Sequence, residues 1–251
     1  MQGIKLTLVV PAYNEERDLP TLCSSIKRAL SGWADYRIIL VDDGSSDRTL
    51  QIANDAARHM PIEVIRHQNN QGLGAAIRTG LHTAAAGGGF VVTMDADNSQ
   101  DPALIQSMLE RLSEGFDVVI ASRFMPGSRE VGVPALRRML SHVSSAGLRL
   151  IVHYPGVRDY TCGFRVYRAE VLLRLIDTFG SSFVQERGFA CMFELLLKLR
   201  VLGARISEVP LVLRYDLKVG TSKMRIIRTM WRYTALLSRL PRNWAPNKGK
   251  V

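Results

Sequence analysis

The 251-residue chain has the composition of an ordinary globular protein, because 47% of its residues are hydrophobic and 22% are charged, which excludes intrinsic disorder. This length allows one large α/β domain or two small ones. A formal net charge of +10 predicts a field that attracts nucleic acid, an anionic membrane surface or a phosphorylated substrate. Three cysteines without a CxxC pair indicate a reducing compartment and argue against disulfides and zinc. Neither a signal-peptide pattern nor an apolar run of about 18 residues is present, so an integral membrane protein is not expected.

The first half of the chain alternates predicted strands with predicted helices. Strands are predicted at Lys5–Val10, Arg37–Val41, Ile62–His67, Phe90–Met94 and Val118–Ala121. Helices are predicted at Asp18–Leu30, Asp47–Arg58, Gly74–Ala86 and Pro102–Leu112. This alternation predicts an α/β fold with a mostly parallel sheet, flanking helices and right-handed crossovers. The polar segments that follow the strands open on one edge of the sheet, so one ligand can contact them all.

Two carboxylates, Asp95 and Asp97, directly follow the apolar strand predicted at Phe90–Met94. The strand is typical of a buried parallel sheet, and open α/β sheets bind ligands at the carboxyl ends of their strands. Two carboxylates at this spacing can hold a hard divalent cation such as Mg²⁺ or Mn²⁺. The open alternative is that Asp97 or Asn98 caps the helix near Pro102.

Two further loops carry signals for ligand binding. Asp43 ends a strand with apolar neighbours, where an exposed carboxylate can accept a hydrogen bond from a ribose hydroxyl or a base N–H. Ser46 and Asp47 are equally explained as caps of the helix that follows. The segment Gly72–Ala76 opens a helix whose free N–H groups can face a diphosphate. It matches a dinucleotide-binding fingerprint only loosely, because Ile77 replaces the third glycine.

Four segments taken together resemble the successive motifs of family 2 glycosyltransferases with the GT-A fold: Val10–Glu15, Val41–Asp47, Asn70–Ala76 and Asp95–Asp97. The resemblance implies a GT-A catalytic domain over residues 1–221, with a nucleotide-sugar-binding half at 1–125 and an acceptor-side half at 126–221. It implies that Asp95 and Asp97 hold the metal and that Asp97 is catalytic. The residues that it assigns to the nucleotide-sugar in these segments are Pro11, Tyr13, Glu15, Val41, Asp43, Gly72, Leu73, Asp95, Ala96 and Asp97.

The second half resembles the polyprenyl-phosphate branch of the family, which includes dolichol-phosphate mannose synthases and uses a lipid phosphate as acceptor. The resemblance is carried by Ser122–Phe124, Val157–Arg165, Glu208–Pro210, Arg214–Tyr215 and Gly220–Lys223. It implies that Arg123, Arg214 and Lys223 contact phosphates, with Arg123 catalytic and Arg214 and Lys223 on the nucleotide-sugar. It further implies that Arg123, Asp159, Thr161 and Arg165 shape the acceptor side. The alternative for Arg123 and Arg165 is an ordinary ion pair, worth at most about 1 kcal/mol when exposed.

The chemistry of the transfer also favours a phosphate acceptor over a hydroxyl acceptor. An alcohol acceptor needs a general base, which hydroxyl-using members of the family supply from a Glu-Asp pair, and this chain contains no Glu-Asp dipeptide. A phosphate monoester, with a second pKa of about 6, is already largely ionised and needs only cationic help from Arg or Lys. The processive signature Gln-x-x-Arg-Trp is also absent. We therefore expect a single transfer with inversion, with GDP-mannose favoured as donor by analogy and a UDP-sugar as the alternative.

Two basic amphipathic stretches, Leu136–Val152 and Ser222–Leu240, are candidates for contact with a membrane. Such helices either lie in an anionic membrane interface or pack on the sheet with a solvated basic face. Many members of the family carry transmembrane segments that this sequence lacks, so a membrane-anchored partner subunit is the other route to the lipid. We expect a cytoplasmic protein, peripheral on a membrane, with a disordered tail at 241–251.

Other classes of function make different predictions. A glycosyltransferase with a hydroxyl acceptor would need no lipid phosphate, and a non-catalytic sugar-nucleotide-binding subunit would bind donor without turnover. A nicotinamide-dependent oxidoreductase, suggested by Gly72–Ala76, would need no metal, and the pair Asp95 and Asp97 argues against it. Nucleic acid is not an expected partner, because the basic residues are scattered and show no recognition-helix or RNA-binding signature.

Overall fold

The computed structural model describes residues 5–220 and 226–238. The strands are β1 (Leu6–Ala12), β2 (Tyr36–Asp42), β3 (Ile62–Arg66), β4 (Phe90–Thr93), β5 (Val118–Ser122), β6 (Arg129–Val131), β7 (Arg165–Arg168), β8 (Ile206–Pro210) and β9 (Val212–Arg214). The α-helices are α1 (Leu19–Ala29), α2 (Thr49–Ala57), α3 (Leu73–Ala85), α4 (Leu104–Ser113), α5 (Ala135–Val152), α6 (Ala169–Phe179), α7 (Cys191–Val201) and α8 (Ile226–Ser238). The predicted strands and helices of the first half are all confirmed, with ends shifted by at most two residues.

Seven strands form the main sheet in the order β3-β2-β1-β4-β7-β5-β8. All neighbouring strands run parallel except β7, which is antiparallel to both β4 and β5. The predicted mostly parallel sheet is therefore confirmed. Strands β7 and β8 come from the predicted acceptor-side half of the chain, so both halves build one sheet. A separate two-stranded sheet joins β6 and β9.

Helices cover the sheet, and its central strands are buried along their length. Every residue of β1 is buried, which is why its sequence is an almost unbroken apolar run. Helix α3 approaches β1 closely through Gly80, where an added Cβ would lie 2.3 Å from Val9 Cγ1. This close packing requires glycine and explains why α3 is rich in small residues.

The carboxyl ends of β1, β2 and β4 meet at one edge of the sheet. Ala12 at the end of β1 is in register with Asp42 of β2, and Val9 of β1 is in register with Thr93 of β4. The polar segments that follow these strands therefore emerge side by side, as the alternation of strands and helices predicts.

The helix predicted at Leu136–Val152 is present as α5, but it does not bury its apolar stripe. Leu136, Met139 and Val143 are 65%, 55% and 61% exposed, whereas Ser145 and Leu148 face the protein. The alternative in which this stripe packs on the sheet is therefore wrong. Helix α8 lies inside the predicted stretch 222–240, and the tail 241–251 lies outside the described residues. No helix among the described residues has the length and apolar character needed to cross a membrane.

Candidate active site

A cavity of about 780 Å³ opens at the edge of the sheet where β1, β2 and β4 end. Its walls come from the loops after these strands, from the segment 186–190, and from α5 and α8. Most of the residues predicted for the site border this cavity. They are Pro11, Tyr13, Glu15, Asp43, Gly72, Leu73, Asp95, Ala96, Asp97, Arg123 and Thr161.

Four predicted residues, Val41, Asp159, Arg165 and Arg214, do not border the cavity, and their roles at the site stay predictions. Val41 is fully buried in β2, where its apolar side chain belongs to the core. Arg165 and Asp159 are also fully buried. Arg214 lies outside the cavity wall and pairs with Asp216, with 2.7 Å between Nη2 and Oδ2. Lys223 lies outside the described residues, so its predicted phosphate contact stays a prediction.

The pair of carboxylates predicted after β4 lies at the floor of the cavity. Gln100 binds Asp95 twice, since its Nε2 donates to Asp95 Oδ2 at 2.8 Å and its Oε1 accepts from the Asp95 N–H at 2.9 Å. Asp97 Oδ1 accepts from both the N–H and the hydroxyl of Ser99. Helix α4 begins at Leu104, and neither Asp97 nor Asn98 caps it, so the capping alternative is wrong.

Lys218 completes this group, because its Nζ lies 2.6 Å from Asp97 Oδ2. Burial, and then the neighbouring Asp97 carboxylate, raise the pKa of Asp95 to about 7. Burial acts in the same direction on Asp97, but the Lys218 ammonium and the hydrogen bonds from Ser99 outweigh it and hold the pKa of Asp97 below its ordinary value. For Lys218, burial alone would lower the pKa of the ammonium group. The neighbouring carboxylates, chiefly that of Asp97, act in the opposite direction and together outweigh burial, so the pKa of Lys218 lies above its ordinary value. The ionised carboxylates at the floor of the cavity are therefore stabilised by a nearby positive charge.

Asp95 and Asp97 fit a Mg²⁺ or Mn²⁺ ion that is shared with a substrate. Among the described residues no third His, Cys, Asp or Glu joins them in a group able to hold a metal. Mg²⁺ in nucleotide sites is commonly bound by one or two carboxylates, with phosphate oxygens and waters as the other ligands. The donor set therefore suits an ion that binds together with a diphosphate.

Asp43 organises the loop that precedes α3. Its Oδ1 accepts from the Gln71 N–H at 3.0 Å and contacts His67 Nδ1 at 2.7 Å, while its Oδ2 accepts from the Gly72 N–H at 2.8 Å. Asp43 is only 3% exposed, so the expected exposed carboxylate is instead a buried one. An ionised carboxylate has about four acceptor positions, which leaves Oδ2 able to accept one more hydrogen bond from a ligand.

The start of α3 is already occupied by protein contacts. The Gly74 N–H donates to the carbonyl oxygen of Arg187 at 2.9 Å, and the Gly72 N–H donates to Asp43. A Cβ at Gly74 would lie 1.6 Å from Glu186 O, so this glycine is required by the close approach of the 186–187 backbone. These two N–H groups are therefore not among the free donors that were expected to face a diphosphate.

Arg123, Asp159 and Thr161, all predicted to lie on the acceptor side, form one hydrogen-bonded network. Arg123 donates from Nε and Nη2 to the two oxygens of Asp159, each at 2.8 Å. Arg123 Nη2 also donates to Thr161 Oγ1 at 2.8 Å. Burial raises the pKa of Asp159, but the Arg123 guanidinium outweighs it and holds that pKa below its ordinary value. The ion pair expected as the alternative for Arg123 is present, but it is buried and not on the surface.

Arg165 and Glu208 support the turn that carries Asp159. Arg165 donates to the carbonyl oxygens of Cys162 and Tyr160 at 2.8 and 3.2 Å. Glu208 Oε1 accepts from the N–H groups of Arg158 and Asp159, each at 2.7 Å. Arg165 therefore supports the backbone of this turn, and its predicted role on the acceptor side stays a prediction.

Several cavity residues were not predicted as site residues from the sequence. Lys218 lies between the motif segments Arg214–Tyr215 and Gly220–Lys223. Its basic side chain close to Gly220 is the feature of the sequence that could have indicated a role in the site. Arg137 on α5 borders the cavity and donates to the Tyr215 hydroxyl at 3.0 Å. The wall formed by α5, α8 and β9 is partly apolar, with a basic residue from each helix. Its members are Arg137, Leu140, Ser141, Ser144, Leu213, Met230, Arg232 and Tyr233.

Comparisons with known proteins agree with this arrangement. A model of glycosyl transferase family 2 matches residues 7–176. The chain is 30% identical over 238 residues to a dolichol-phosphate mannosyltransferase of Pyrococcus furiosus, covering 94% of this chain and 64% of the relative. It is 31% identical to a polyprenol monophosphomannose synthase of Mycolicibacterium smegmatis, over 86% of this chain and 80% of the relative. It is also 31% identical to an undecaprenyl-phosphate mannosyltransferase of Micrococcus luteus, over 88% of each chain.

Solved structures share the fold at lower sequence identity. Glucosyl-3-phosphoglycerate synthase of Mycobacterium tuberculosis, crystallised with Mn²⁺, UDP and glucosyl-3-phosphoglycerate, superimposes with a TM-score of 0.69 at 21% identity, over 94% of this chain and 79% of that chain. The same enzyme crystallised with Mg²⁺ and UDP gives a TM-score of 0.68 at 22% identity, over 94% and 78% of the two chains. The family match removes the oxidoreductase alternative, and the chain belongs to glycosyl transferase family 2 with the GT-A fold.

Proposed function

We propose that this chain transfers a single sugar from a nucleotide-sugar to a polyprenyl or dolichyl phosphate, with inversion at the anomeric carbon and with a divalent metal. The favoured sugar is mannose and the favoured donor is GDP-mannose, because three relatives at about 30% identity carry the names of polyprenyl-phosphate mannosyltransferases. A lipid-phosphate-linked sugar is the product.

The observation that carries this proposal is the composition of the cavity. One part of its lining consists of the carboxylates Asp95 and Asp97 and the loops after β1 and β2. Another part comes from α5 and α8 and combines apolar side chains such as Leu140 and Met230 with the basic residues Arg137 and Arg232. A charged donor and an acceptor with an anionic head and an apolar chain suit this combination, whereas a small polar acceptor would not need the apolar side chains.

The exposed stripe of α5 supports a membrane as the source of the acceptor. Leu136, Met139 and Val143 repeat at helical spacing and face away from the protein, and Arg138 and Arg149 on the same helix are also exposed. An apolar stripe flanked by arginines suits an anionic bilayer, in which the side chains enter the interface and the guanidinium groups meet the lipid phosphates. We therefore infer peripheral binding to a membrane through α5, with a membrane-anchored partner subunit as the alternative outcome of the test.

In the proposed reaction an ionised phosphate oxygen of the acceptor attacks the anomeric carbon of the donor sugar. The bond between that carbon and the diphosphate oxygen breaks, and its electron pair leaves with the nucleoside diphosphate. No proton has to be removed, because the acceptor phosphate is already ionised. Asp95 and Asp97 would hold the metal, which as a Lewis acid supplies stabilisation of the leaving diphosphate. Arg137 and Arg232 would reduce the repulsion between the two anionic substrates.

The test is a donor screen with the purified chain, Mn²⁺ or Mg²⁺, and a short polyprenyl phosphate in detergent. GDP-mannose and the common UDP-sugars would be compared by release of nucleoside diphosphate and by formation of a lipid-linked sugar. We expect metal-dependent transfer of mannose to the lipid phosphate. Donor binding without a lipid product would overturn the acceptor assignment, and transfer from a UDP-sugar alone would overturn the donor assignment. Flotation with anionic vesicles tests the membrane contact, and failure to float would favour a partner subunit.

A further inference from the structure

Lys218 supplies the positive charge at the floor of the cavity. Its Nζ lies 2.6 Å from Asp97 Oδ2, and the side chains of Lys218 and Asp97 are only 11% and 14% exposed. Asp95 and Glu15 also lie close enough to interact with the charge of Lys218. The ammonium group thus lies on a carboxylate oxygen that a divalent metal would use.

The backbone next to Lys218 is anchored to the same residue as the turn after Asp97. Asp18, which is fully buried, accepts the N–H groups of Val219 and Gly220 on its two carboxylate oxygens at 3.0 and 2.9 Å. The carbonyl oxygen of Asp18 accepts from Asn98 Nδ2 at 2.8 Å. Because both partners of the ion pair are anchored through Asp18, the contact between Lys218 and Asp97 is fixed by the fold. The flexible lysine stem can still move its ammonium group while the backbone stays in place.

We propose that Lys218 is a resident cation of the metal site, which competes with the divalent metal for Asp97 and moves its ammonium to the donor diphosphate when donor and metal bind. This inference rests on the proposed function, since it assumes that Asp95 and Asp97 bind a metal. The ammonium group has three donors and is a common ligand of phosphates. The diphosphate therefore offers Lys218 a new partner in place of the carboxylate that it gives up.

This role has opposite effects on two binding events. A metal that binds alone must displace the ammonium from Asp97 without compensation, so Lys218 weakens that binding. A nucleoside diphosphate that binds with the metal gains the ammonium as a ligand, so Lys218 strengthens that binding. General damage to the site by a substitution would weaken both binding events. Opposite changes in the two affinities therefore distinguish the proposed role from general damage.

The experiment measures Mn²⁺ binding to the full chain by electron paramagnetic resonance of free Mn²⁺, without nucleotide, for wild type and Lys218→Met. We expect the variant to bind Mn²⁺ about tenfold more tightly, a change of about 1.4 kcal/mol. At saturating Mn²⁺, calorimetry should show GDP binding to the variant about tenfold more weakly than to wild type. Lys218→Gln is the second variant, should the methionine variant fold poorly.

Two controls separate charge from position. Lys218→Arg keeps the positive charge, so its Mn²⁺ affinity without nucleotide should stay near that of wild type. Lys27→Met removes an exposed lysine from α1 and should change neither affinity. Equal or weaker Mn²⁺ binding by the neutral variants would overturn the inference while leaving the metal site of the proposed function intact. Absence of Mn²⁺ binding in every chain, with and without GDP, would overturn the metal site as well.

Discussion

Arg232 on α8 forms two hydrogen bonds to the carboxylate of Glu186, each with a length of 2.7 Å. Glu186 is 2% exposed, and its carbonyl oxygen belongs to the backbone that packs against Gly74 at the start of α3. Helix α8 is therefore connected by a charged contact to the segment that packs against the start of α3. Under the proposed function, we expect donor binding to depend on Arg232.

The first prediction concerns this contact. Arg232→Met leaves the Glu186 carboxylate uncompensated at the edge of the cavity, where it repels the donor diphosphate. We expect GDP affinity in the presence of Mn²⁺ to fall about fivefold, which corresponds to about 1 kcal/mol. Glu186→Gln in the Arg232→Met background removes the repelling charge, so the double variant should bind GDP more tightly than Arg232→Met alone. Calorimetric titration of the three chains tests the order, and an equally weak double variant would contradict the electrostatic explanation.

The second prediction concerns Asp97. In Asp97→Asn the charge that faces the metal and Lys218 is lost while the side-chain shape stays, so we expect kcat to fall about 10³-fold. Far-UV circular dichroism and the urea midpoint should stay close to wild type. Asp101→Asn is the matched control, because Asp101 lies in the same loop and is exposed, and its carboxylate accepts the Ala103 N–H within its own loop. Normal turnover by Asp97→Asn would show that the metal assignment is wrong.

Local patterns in the sequence were sufficient to predict the strands and helices of the first half. Strands such as β1 and β4 are short apolar runs and helices such as α1 and α4 are amphipathic, so both types could be assigned from spacing alone. Strands β6 to β9 and helices α6 and α7 of the second half were not predicted. Strand β7, for example, begins with the buried Arg165, and a charged residue gives no apolar pattern. Its position between β4 and β5 depends on pairing between distant parts of the chain.

Some residues of the candidate site could be predicted because they directly follow a strand, and others, such as Gly72 and Thr161, because they belong to a recognisable motif. Asp95 and Asp97 satisfy the first condition. Lys218 reaches Asp97 because Asp18 binds the backbone of Val219, a contact between positions 201 residues apart, and no short motif encodes such a contact. Val41 shows the opposite case, since it belongs to a recognisable motif but its side chain is buried in the core.

The third prediction concerns the buried pair of Arg123 and Asp159. Either Arg123→Met or Asp159→Asn alone should destabilise the protein by about 3–5 kcal/mol, because each leaves a buried charge without its partner. The double variant should lose less unfolding free energy than the sum of the two single losses. Urea denaturation of the four chains can measure these values. The pKa of Asp159 is lowered in the folded state, so the stability from this pair is full above about pH 4 and is lost as the pH falls below it. Asp159→Asn should lack this acid-dependent loss.

The fourth prediction compares two helical glycines. Gly74→Ala places a Cβ 1.6 Å from Glu186 O, so the backbone at 186–187 must move away from α3. We expect weaker binding of GDP with Mn²⁺ and a loss of about 1–3 kcal/mol of stability. Gly147→Ala on α5 is the matched control, since no atom lies within 4 Å of the added Cβ, and it should stabilise the protein by about 0.4–1 kcal/mol. Equal effects of the two substitutions would contradict the packing explanation.

The last prediction tests the exposed stripe of α5. Replacing Leu136, Met139 and Val143 together by serine removes apolar area that the folded protein does not use, so stability should change by less than about 0.5 kcal/mol for each position. Flotation with anionic vesicles should fall sharply, because burial of the three side chains in the interface contributes about 1.5–3 kcal/mol each at full burial. Val201→Ser on α7 is the matched control, since Val201 is 54% exposed on another helix, and its flotation should match wild type.

Transfer to a detergent-dispersed acceptor should also survive in the triple variant, because the stripe lies outside the cavity. Loss of transfer in detergent together with unchanged flotation would instead assign the stripe to acceptor binding and exclude it as the membrane contact.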